Sequence, residues 1–123
     1  MSELDENISQ PNWIVHLCQR AAWSAARSSN SYEAASLAEV GFIHCSRPDQ
    51  VVMVANRYYV GCTDLVLLWI DANLLYAELR WEAADADLFP HIYGTLNLDA
   101  VQAVIDFPAA PDGHFYTQPE YPG

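Results

Sequence analysis

The sequence predicts an α+β fold in one domain, with a bent or split antiparallel-rich sheet and two main helices. The first observation behind this fold class is the order of the elements, which runs strand, helix, strand, helix and then mostly strands. The second is the composition, because 123 residues with a hydrophobic fraction of 52% suffice for one ordinary core. Separately from the fold class, a histidine in each of three predicted strands indicates a polar pocket on the sheet.

The globular domain is expected to span residues 12–107. Residues 1–11 are polar and end at Pro11, so they predict a loose N-terminal arm. Residues 108–123 are rich in proline and predict an irregular tail that lies on the surface.

The first half of the domain alternates strands and helices. Residues 13–17 predict a short apolar strand, and the alanine-rich segment 19–27 has the periodicity of a helix. After a loop, residues 36–39 predict one helical turn that ends at Gly41.

A strand over residues 42–45 is expected to lead directly into the second main helix. Ser46 stands where the N-cap should be, Pro48 lies in the first turn, and Asp49 occupies the third helical position, as in a capping box. Gly61 is expected to end this helix.

The second half of the domain consists mostly of strands. The apolar run 64–70 predicts a central strand buried on both faces, and residues 77–82 alternate as a half-buried strand does. Residues 83–87 predict an acidic loop, residues 89–93 an extended segment, and residues 101–107 the last strand.

Three of the four histidines share one local pattern. An apolar residue stands two positions before each of them, and a hydroxyl or thiol two positions after. Because residues i and i+2 of a strand share a face, each strand would present these three groups on one side. Strands that converge on one pocket explain the pattern, and unrelated structural histidines are the alternative. The triplets are Ile14, His16 and Cys18; Phe42, His44 and Ser46; and Phe89, His91 and Tyr93.

Each of these histidines has a functional and a structural interpretation. His16 could bond a ligand hydroxyl, or the backbone at a strand end. His44 precedes a predicted helix start, where free N–H groups and Ser46 could hold an anion, or where Ser46 acts as a cap alone. His91 precedes Gly94, which would let a ligand or backbone approach closely, or it lies in a loop packed by aromatic residues.

Charged residues near the strand ends are further candidates. Arg80 and Glu82 share one strand face, either as a surface ion pair or as a guanidinium and a carboxylate at the rim of the pocket. Arg57, on the helix predicted after Ser46, is a third candidate for ligand binding.

Metal binding and cysteine chemistry are weaker hypotheses. His16, Cys18, His44 and His91 are of the types that bind zinc, but their spacings match no compact zinc signature, so we expect no metal. A cysteine nucleophile at Cys18 or Cys45 stays a minor alternative. The odd count of three cysteines, without a C-x-x-C motif, favours reduced thiols.

Charge limits the classes of partner. The net charge is −11, lysine is absent, and the five basic residues are all arginine. This composition argues against nucleic-acid binding, whereas a small anion could still be held by one or two arginines. No apolar run approaches the roughly 18 residues of a membrane span. Because the acidic start is unlike a signal peptide, we expect a cytoplasmic protein that does not contact a membrane, and its oligomeric state stays open.

Taken together, these residues resemble an uncharacterised bacterial family, domain of unknown function 952. The likeness extends over about residues 12–107. The motifs that carry it most specifically are Gly41-Phe42-Ile43-His44-Cys45-Ser46 and Phe89-Pro90-His91-Ile92-Tyr93-Gly94, supported by Ile14-Val15-His16-Leu17, Val54-Ala55-Asn56-Arg57-Tyr58 and Arg80-Trp81-Glu82.

More distantly, the layout resembles the ADP-ribosyltransferase-like fold, which includes RNA 2′-phosphotransferases. This resemblance implies that NAD is the cofactor or substrate, that His16 contacts its nicotinamide-side ribose, and that His44 matches a second-strand histidine. It also implies that Tyr93 and Gly94 correspond to residues on a late strand of that fold. The Glu-x-Glu or Gln-x-Glu motif of that fold is absent, so Glu82 is the candidate for the catalytic glutamate.

Two function classes follow. In the first, the pocket binds NAD or a related nucleotide and the protein is a transferase or hydrolase acting on it. In the second, the same pocket binds a small metabolite without chemistry, as a sensor domain. The expected catalytic residues are His16, His44, His91 and Glu82, and the expected ligand-binding residues are Ser46, Tyr93, Gly94, Arg57 and Arg80.

Overall fold

The architecture is that of an α+β domain with antiparallel sheets, so the predicted fold class is confirmed at this level. The computed structural model describes residues 12–123, and the predicted arm at residues 1–11 lies outside them. The strands are β1 (Trp13–Gln19), β2 (Ser31–Tyr32), β3 (Ile43–His44), β4 (Leu65–Asp71), β5 (Glu78–Ala84), β6 (Asp87–Tyr93), β7 (Leu96–Asn97) and β8 (Val101–Asp106). The α-helices are α1 (Arg20–Ser29), α2 (Ala35–Val40) and α3 (Val51–Tyr58), and two short 3₁₀ helices cover Ala72–Leu74 and Leu98–Ala100.

The first antiparallel sheet has the strand order β1-β4-β8, and we call it the covered sheet. Its central strand β4 is apolar in six successive residues, and all six are buried, as the sequence predicts for a strand covered on both faces. Alternation along the strand sends Leu68 into one core cluster and Leu67 and Trp69 into the other. The covered sheet therefore separates two hydrophobic cores.

A second antiparallel sheet has the order β3-β6-β5, and we call it the open sheet. One of its faces packs Ile43 and Ile92 into the first core. The opposite face carries polar side chains. His91 on β6 is in register with His44 on β3 and with Arg80 on β5, so these three residues lie side by side across the sheet. The candidate site lies on this second face.

The hairpin between β5 and β6 is tighter than the sequence suggests. The acidic loop predicted over residues 83–87 is wrong, because Ala84 pairs with Asp87 and the turn holds two residues. Asp85 and Ala86 occupy that turn with φ values of 52° and 64°. Left-handed backbone at both central positions is what a two-residue turn of type I′ requires.

The structure contains three α-helices within residues 12–123, where two main helices were predicted. The additional one is α2, which has six residues in place of the single predicted turn and ends at Gly41 with φ 90°. The predicted cap at Ser46 is wrong. The backbone of Ser46 exchanges hydrogen bonds of 2.8 and 2.9 Å with Val15 and stays extended, while α3 begins only at Val51.

Gln50 shapes the turn that replaces the predicted cap. Its side-chain oxygen accepts a bond from the Arg47 backbone at 2.8 Å, and its side-chain nitrogen donates to Asp87 and to the Leu88 carbonyl, both at 2.9 Å. These bonds tie the segment before α3 to the start of β6.

Two features of the remaining chain were not predicted. The short strands β2 and β7 pair with each other in a separate sheet. The segment after Phe107 has no helix or strand, yet Phe115 is only 2% exposed and bonds twice through its backbone to the side chain of Asn56, at 2.8 Å each. Within residues 12–123, no helix is long and apolar enough to cross a membrane.

Candidate functional site

A cavity of about 470 Å³ opens beside the polar face of the open sheet. This volume falls in the range of roughly 300–1,000 Å³ typical of small-molecule sites. Strand β1, the segment from His44 to Ser46, helix α3 and the β5–β6 hairpin all contribute to its wall. Its polar or titratable lining includes His16, His44, Ser46, Arg57, Asp85 and His91, and its apolar and aromatic lining includes Val51, Met53, Val54, Tyr58, Tyr59 and Phe89.

His91 is held by a carboxylate. Its Nδ1 lies 2.8 Å from Oε1 of Glu82, and the Tyr93 hydroxyl donates to the same oxygen at 2.6 Å. A carboxylate only accepts, so Nδ1 of His91 carries the proton and Nε2 carries the lone pair when the ring is neutral. The bonds from Tyr93 and His91 hold the pKa of Glu82 below its usual value.

The orientation of the His91 ring is fixed by packing as well. Phe42 stacks on it with centroids 4.0 Å apart, and the ring of His44 lies 5.4 Å away. His91 is 7% exposed, and no side chain or backbone group of residues 12–123 bonds to its Nε2. Within the His91 ring, Nε2 is thus the nitrogen that a molecule in the cavity can reach.

His44 lies beside this group with a lowered pKa. Partial burial is the larger cause, and the charge of the neighbouring His91 is the second. Because a positive charge on His91 would disfavour a positive charge on His44, the environment favours the neutral form of His44.

His16 has a different environment, although it also lines the cavity. Its Nδ1 donates to the backbone carbonyl of His44 at 2.6 Å, and its Nε2 accepts from the hydroxyl of Tyr32 at 2.9 Å. Burial lowers the pKa of His16 to about 4. Both ring nitrogens are engaged, so a direct contact with a ligand would require one of these bonds to open.

The two cysteines near His16 are buried thiols. Burial raises the pKa of Cys18 to about 11 and that of Cys45 further still. A thiol that stays protonated is a poor nucleophile, so the geometry gives no support to cysteine catalysis. Within residues 12–123, no three His, Cys, Asp or Glu side chains are grouped so that they could hold a metal ion.

The ligand-binding candidates divide into two groups. Ser46 and Arg57 line the cavity, and Arg57 forms an ion pair with Asp85 at 2.5 Å. Arg80 lies outside the lining, where it pairs with Glu78 and covers the ring of Tyr93 at 4.1 Å.

Tyr93 and Gly94 are the remaining candidates. Tyr93 lies outside the cavity lining and contacts the site through its bond to Glu82 and through the ring of Phe42, whose centroid is 5.2 Å away. Gly94 packs against Ala77, since a Cβ at Gly94 would come within 2.8 Å of the Ala77 methyl group. The close approach predicted at this glycine is thus made by the protein itself.

Three residues that shape the site were not among the predicted ones. Tyr32 is the partner of His16, Phe42 stacks on His91, and Asp85 pairs with Arg57. The pattern around His44 marks Phe42 as an apolar residue on the same strand face, which is a signal for it. Tyr32 is 16 residues from its partner in the sequence, and Asp85 is 28 residues from its own. Folding brings each pair together, and no local sequence pattern indicates either contact.

This chain is similar to solved structures of the protein CC0527 from Caulobacter crescentus. Its crystal structure is 33% identical in sequence, with a TM-score of 0.78 over 84% of this chain and 92% of CC0527. Its solution NMR structure is 34% identical, with a TM-score of 0.72 over 83% of this chain and 90% of CC0527.

No curated protein is similar enough to this chain to match it. The sequence pattern of the family described as "Protein of unknown function (DUF952)" matches residues 17–104, which is more than half of the chain and includes His44, Glu82 and His91. The resemblance seen in the sequence motifs is thereby confirmed at the level of the family, and the chain belongs to the DUF952 family.

Proposed function

We propose that the cavity binds a small molecule of nucleotide size and that His91 transfers a proton to or from it. The observation that carries this proposal is the bond of Glu82 to Nδ1 of His91, which leaves Nε2 of a buried imidazole without a partner among residues 12–123. A histidine whose second nitrogen is held by a carboxylate is the usual arrangement of a general base.

In the proposed mechanism, neutral His91 accepts a proton from the ligand at Nε2. The imidazolium that forms keeps its Nδ1–H bond to Glu82, whose negative charge stabilises it. Tyr93 lowers the basicity of Glu82 through its own hydrogen bond, so the proton stays on the ring and is available for return to the leaving group. His44, with its lowered pKa, can accept or donate a hydrogen bond without adding charge.

The ligand class that we propose is a nucleotide, NAD included, with transfer or hydrolysis as the reaction. The resemblance to the ADP-ribosyltransferase-like fold supports this choice, and so do the aromatic residues Tyr58, Tyr59 and Phe89 around the cavity. On that resemblance His16 would contact a ribose. Its two protein bonds favour instead a positioning role, in which His16 fixes the backbone of His44.

The test is a comparison of binding and turnover for NAD, ADP-ribose and AMP. We expect at least one of them to bind and react in the wild type, and His91→Gln to retain binding while the rate falls by roughly 10²- to 10⁴-fold. His114→Gln is the matched control, since His114 is exposed and lies outside the cavity lining. Binding without turnover would assign the pocket to the sensor class, and an unchanged rate in His91→Gln would refute the proton transfer.

A further inference from the structure

We propose that, among nucleotides, the ligand is one with a terminal phosphate monoester, as in AMP and unlike NAD or ADP-ribose, that Arg57 binds this phosphate, and that Asp85 competes with it for Arg57. This inference rests on the cavity in the proposed function and names the chemical class of its ligand. It does not depend on proton transfer by His91.

Arg57 is the one arginine in the cavity lining, in a protein whose basic residues are scarce. Three of the other four arginines are ion-paired away from the cavity, and Arg27 also lies outside its lining. Arg20 pairs with Asp64 and Asp106, Arg47 with Asp49 and Asp87, and Arg80 with Glu78. The guanidinium of Arg57 therefore supplies the permanent positive charge of this site.

The ion pair between Arg57 and Asp85 leaves much of the guanidinium unused. It joins one terminal nitrogen of Arg57 to one oxygen of Asp85, and both side chains are 46% exposed. A guanidinium presents five N–H donors in a planar fork that matches two oxygens of a phosphate. An ion pair with this exposure is weak, so an entering dianion can share Arg57 or displace Asp85 from it.

The position of Asp85 is fixed by the backbone. It occupies the first of the two central positions of the β5–β6 turn, with φ 52°, opposite the last turn of helix α3. Asn tolerates the left-handed region as well as Asp does, so Asp85→Asn removes the charge and keeps the turn.

The other polar groups of the lining complement an anion. Ser46 lines the cavity and is 5% exposed, and its hydroxyl bonds to no other group in the part of the chain that the structure describes. His44 adds a ring N–H from the same wall. Together with Arg57 they supply donors from three side chains, which suits the three oxygens of a phosphate monoester better than the two of a planar carboxylate.

The first experiment measures the thermal midpoint, Tm, in inorganic phosphate against chloride of equal ionic strength. Phosphate should raise the Tm of the wild type, because a ligand that binds only the folded state stabilises it. Arg57→Gln should abolish the rise, and Asp85→Asn should enlarge it. Arg80→Gln is the matched control and should keep the wild-type response.

The second experiment compares AMP with adenosine by calorimetry. We expect AMP to bind the wild type roughly 10- to 100-fold more tightly than adenosine, the factor for one charged hydrogen-bonding group. Arg57→Gln should remove the difference. Asp85→Asn should strengthen AMP binding and leave adenosine binding unchanged.

Three results would overturn the inference: no phosphate response in the wild type, a full response in Arg57→Gln, or weaker phosphate binding in Asp85→Asn. The experiments distinguish failure of the anion site from failure of proton transfer by His91. If phosphate binding depends on Arg57 but His91→Gln leaves turnover unchanged, the anion site stands and proton transfer fails. If turnover depends on His91 while AMP and adenosine bind equally, proton transfer stands and the anion site fails.

Discussion

The covered sheet and the open sheet each contain a histidine with the same pattern of neighbouring residues, but the two histidines differ in how many ring nitrogens are bonded within the protein. His16 on β1 is flanked by Ile14 and Cys18, and both of its nitrogens are bonded to protein. His91 on β6 is flanked by Phe89 and Tyr93, and one of its nitrogens is left open. The two rings are almost equally buried, at 6% and 7% exposure, so burial alone does not separate them.

What separates them is the layer beyond each strand face. The face of β1 that carries His16 borders both the cavity and the first core, and the Tyr32 hydroxyl bonds the ring nitrogen that the His44 carbonyl leaves free. The face of β6 that carries His91 meets the cavity, and Glu82 on the neighbouring strand satisfies only one nitrogen. In this pattern, what lies against the strand therefore decides whether both ring nitrogens of the histidine are bonded within the protein or only one.

The largest expected effect is on the covered sheet. Trp69 on β4 is 2% exposed, whereas Trp81 on β5 of the open sheet is 40% exposed. Trp69→Ala should lower the free energy of unfolding by about 3–5 kcal/mol, because it leaves a large cavity. Trp81→Ala is the control and should cost less than half as much. Urea denaturation measures both, and equal losses would contradict the distinction between the sheets.

The next effect is the response of His16 to acid. The pKa of His16 is about 4 in the folded protein against 6.5 in the unfolded chain, so protons favour unfolding. This contribution is fully present above pH 6.5 and is lost as the pH falls towards 4, at about 3 kcal/mol in total. Urea denaturation between pH 7 and pH 4.5 measures it.

His16→Gln provides the comparison for the acid response, because carboxylates also titrate near pH 4. The variant should be less stable than the wild type at pH 7 but should lose less stability between pH 7 and pH 4.5. If the wild type and the variant lose the same free energy of unfolding over that interval, the result contradicts the buried, neutral state that we assign to His16.

The smallest effect concerns the hairpin that borders the site. Ala86 has φ 64°, a conformation that costs an L-residue with a Cβ about 1–2 kcal/mol. Glycine removes this strain at some entropic cost, so Ala86→Gly should raise the free energy of unfolding by about 0.5–1 kcal/mol. Ala83→Gly, in the strand β5, should lower it by a similar amount. A loss of stability in Ala86→Gly would show that the turn is not of type I′.

Much of the fold can be predicted from the sequence because its signals are local. The apolar run of β4 and the glycine that ends α2 depend on neighbouring residues alone. The start of α3 could not be predicted, since Ser46 is taken by a backbone pairing with Val15, a residue far away in sequence. The two-residue turn at Asp85 and Ala86 lacks the glycine that usually marks such a turn.

The three histidines of the candidate site could be predicted from the sequence, but the hydrogen bonds that each of them makes could not. The repeated frame indicates that His16, His44 and His91 belong near one pocket, and all three line the cavity. The partners that give them different chemistry, Tyr32 for His16 and Glu82 for His91, are set by the pairing of strands and the packing of layers. Their roles in function stay predictions.

Carbethoxylation of histidines by diethyl pyrocarbonate tests the contrast between His16 and His91 most directly. The reagent attacks an unprotonated imidazole nitrogen that it can reach, and mass spectrometry of the folded protein at pH 7 gives a rate for each histidine, with exposed His114 as the internal reference. We predict that His91 reacts at least about tenfold faster than His16, the factor for one hydrogen bond of about 1.4 kcal/mol that must open first. Equal rates for His16 and His91, or faster reaction of His16, would contradict the account.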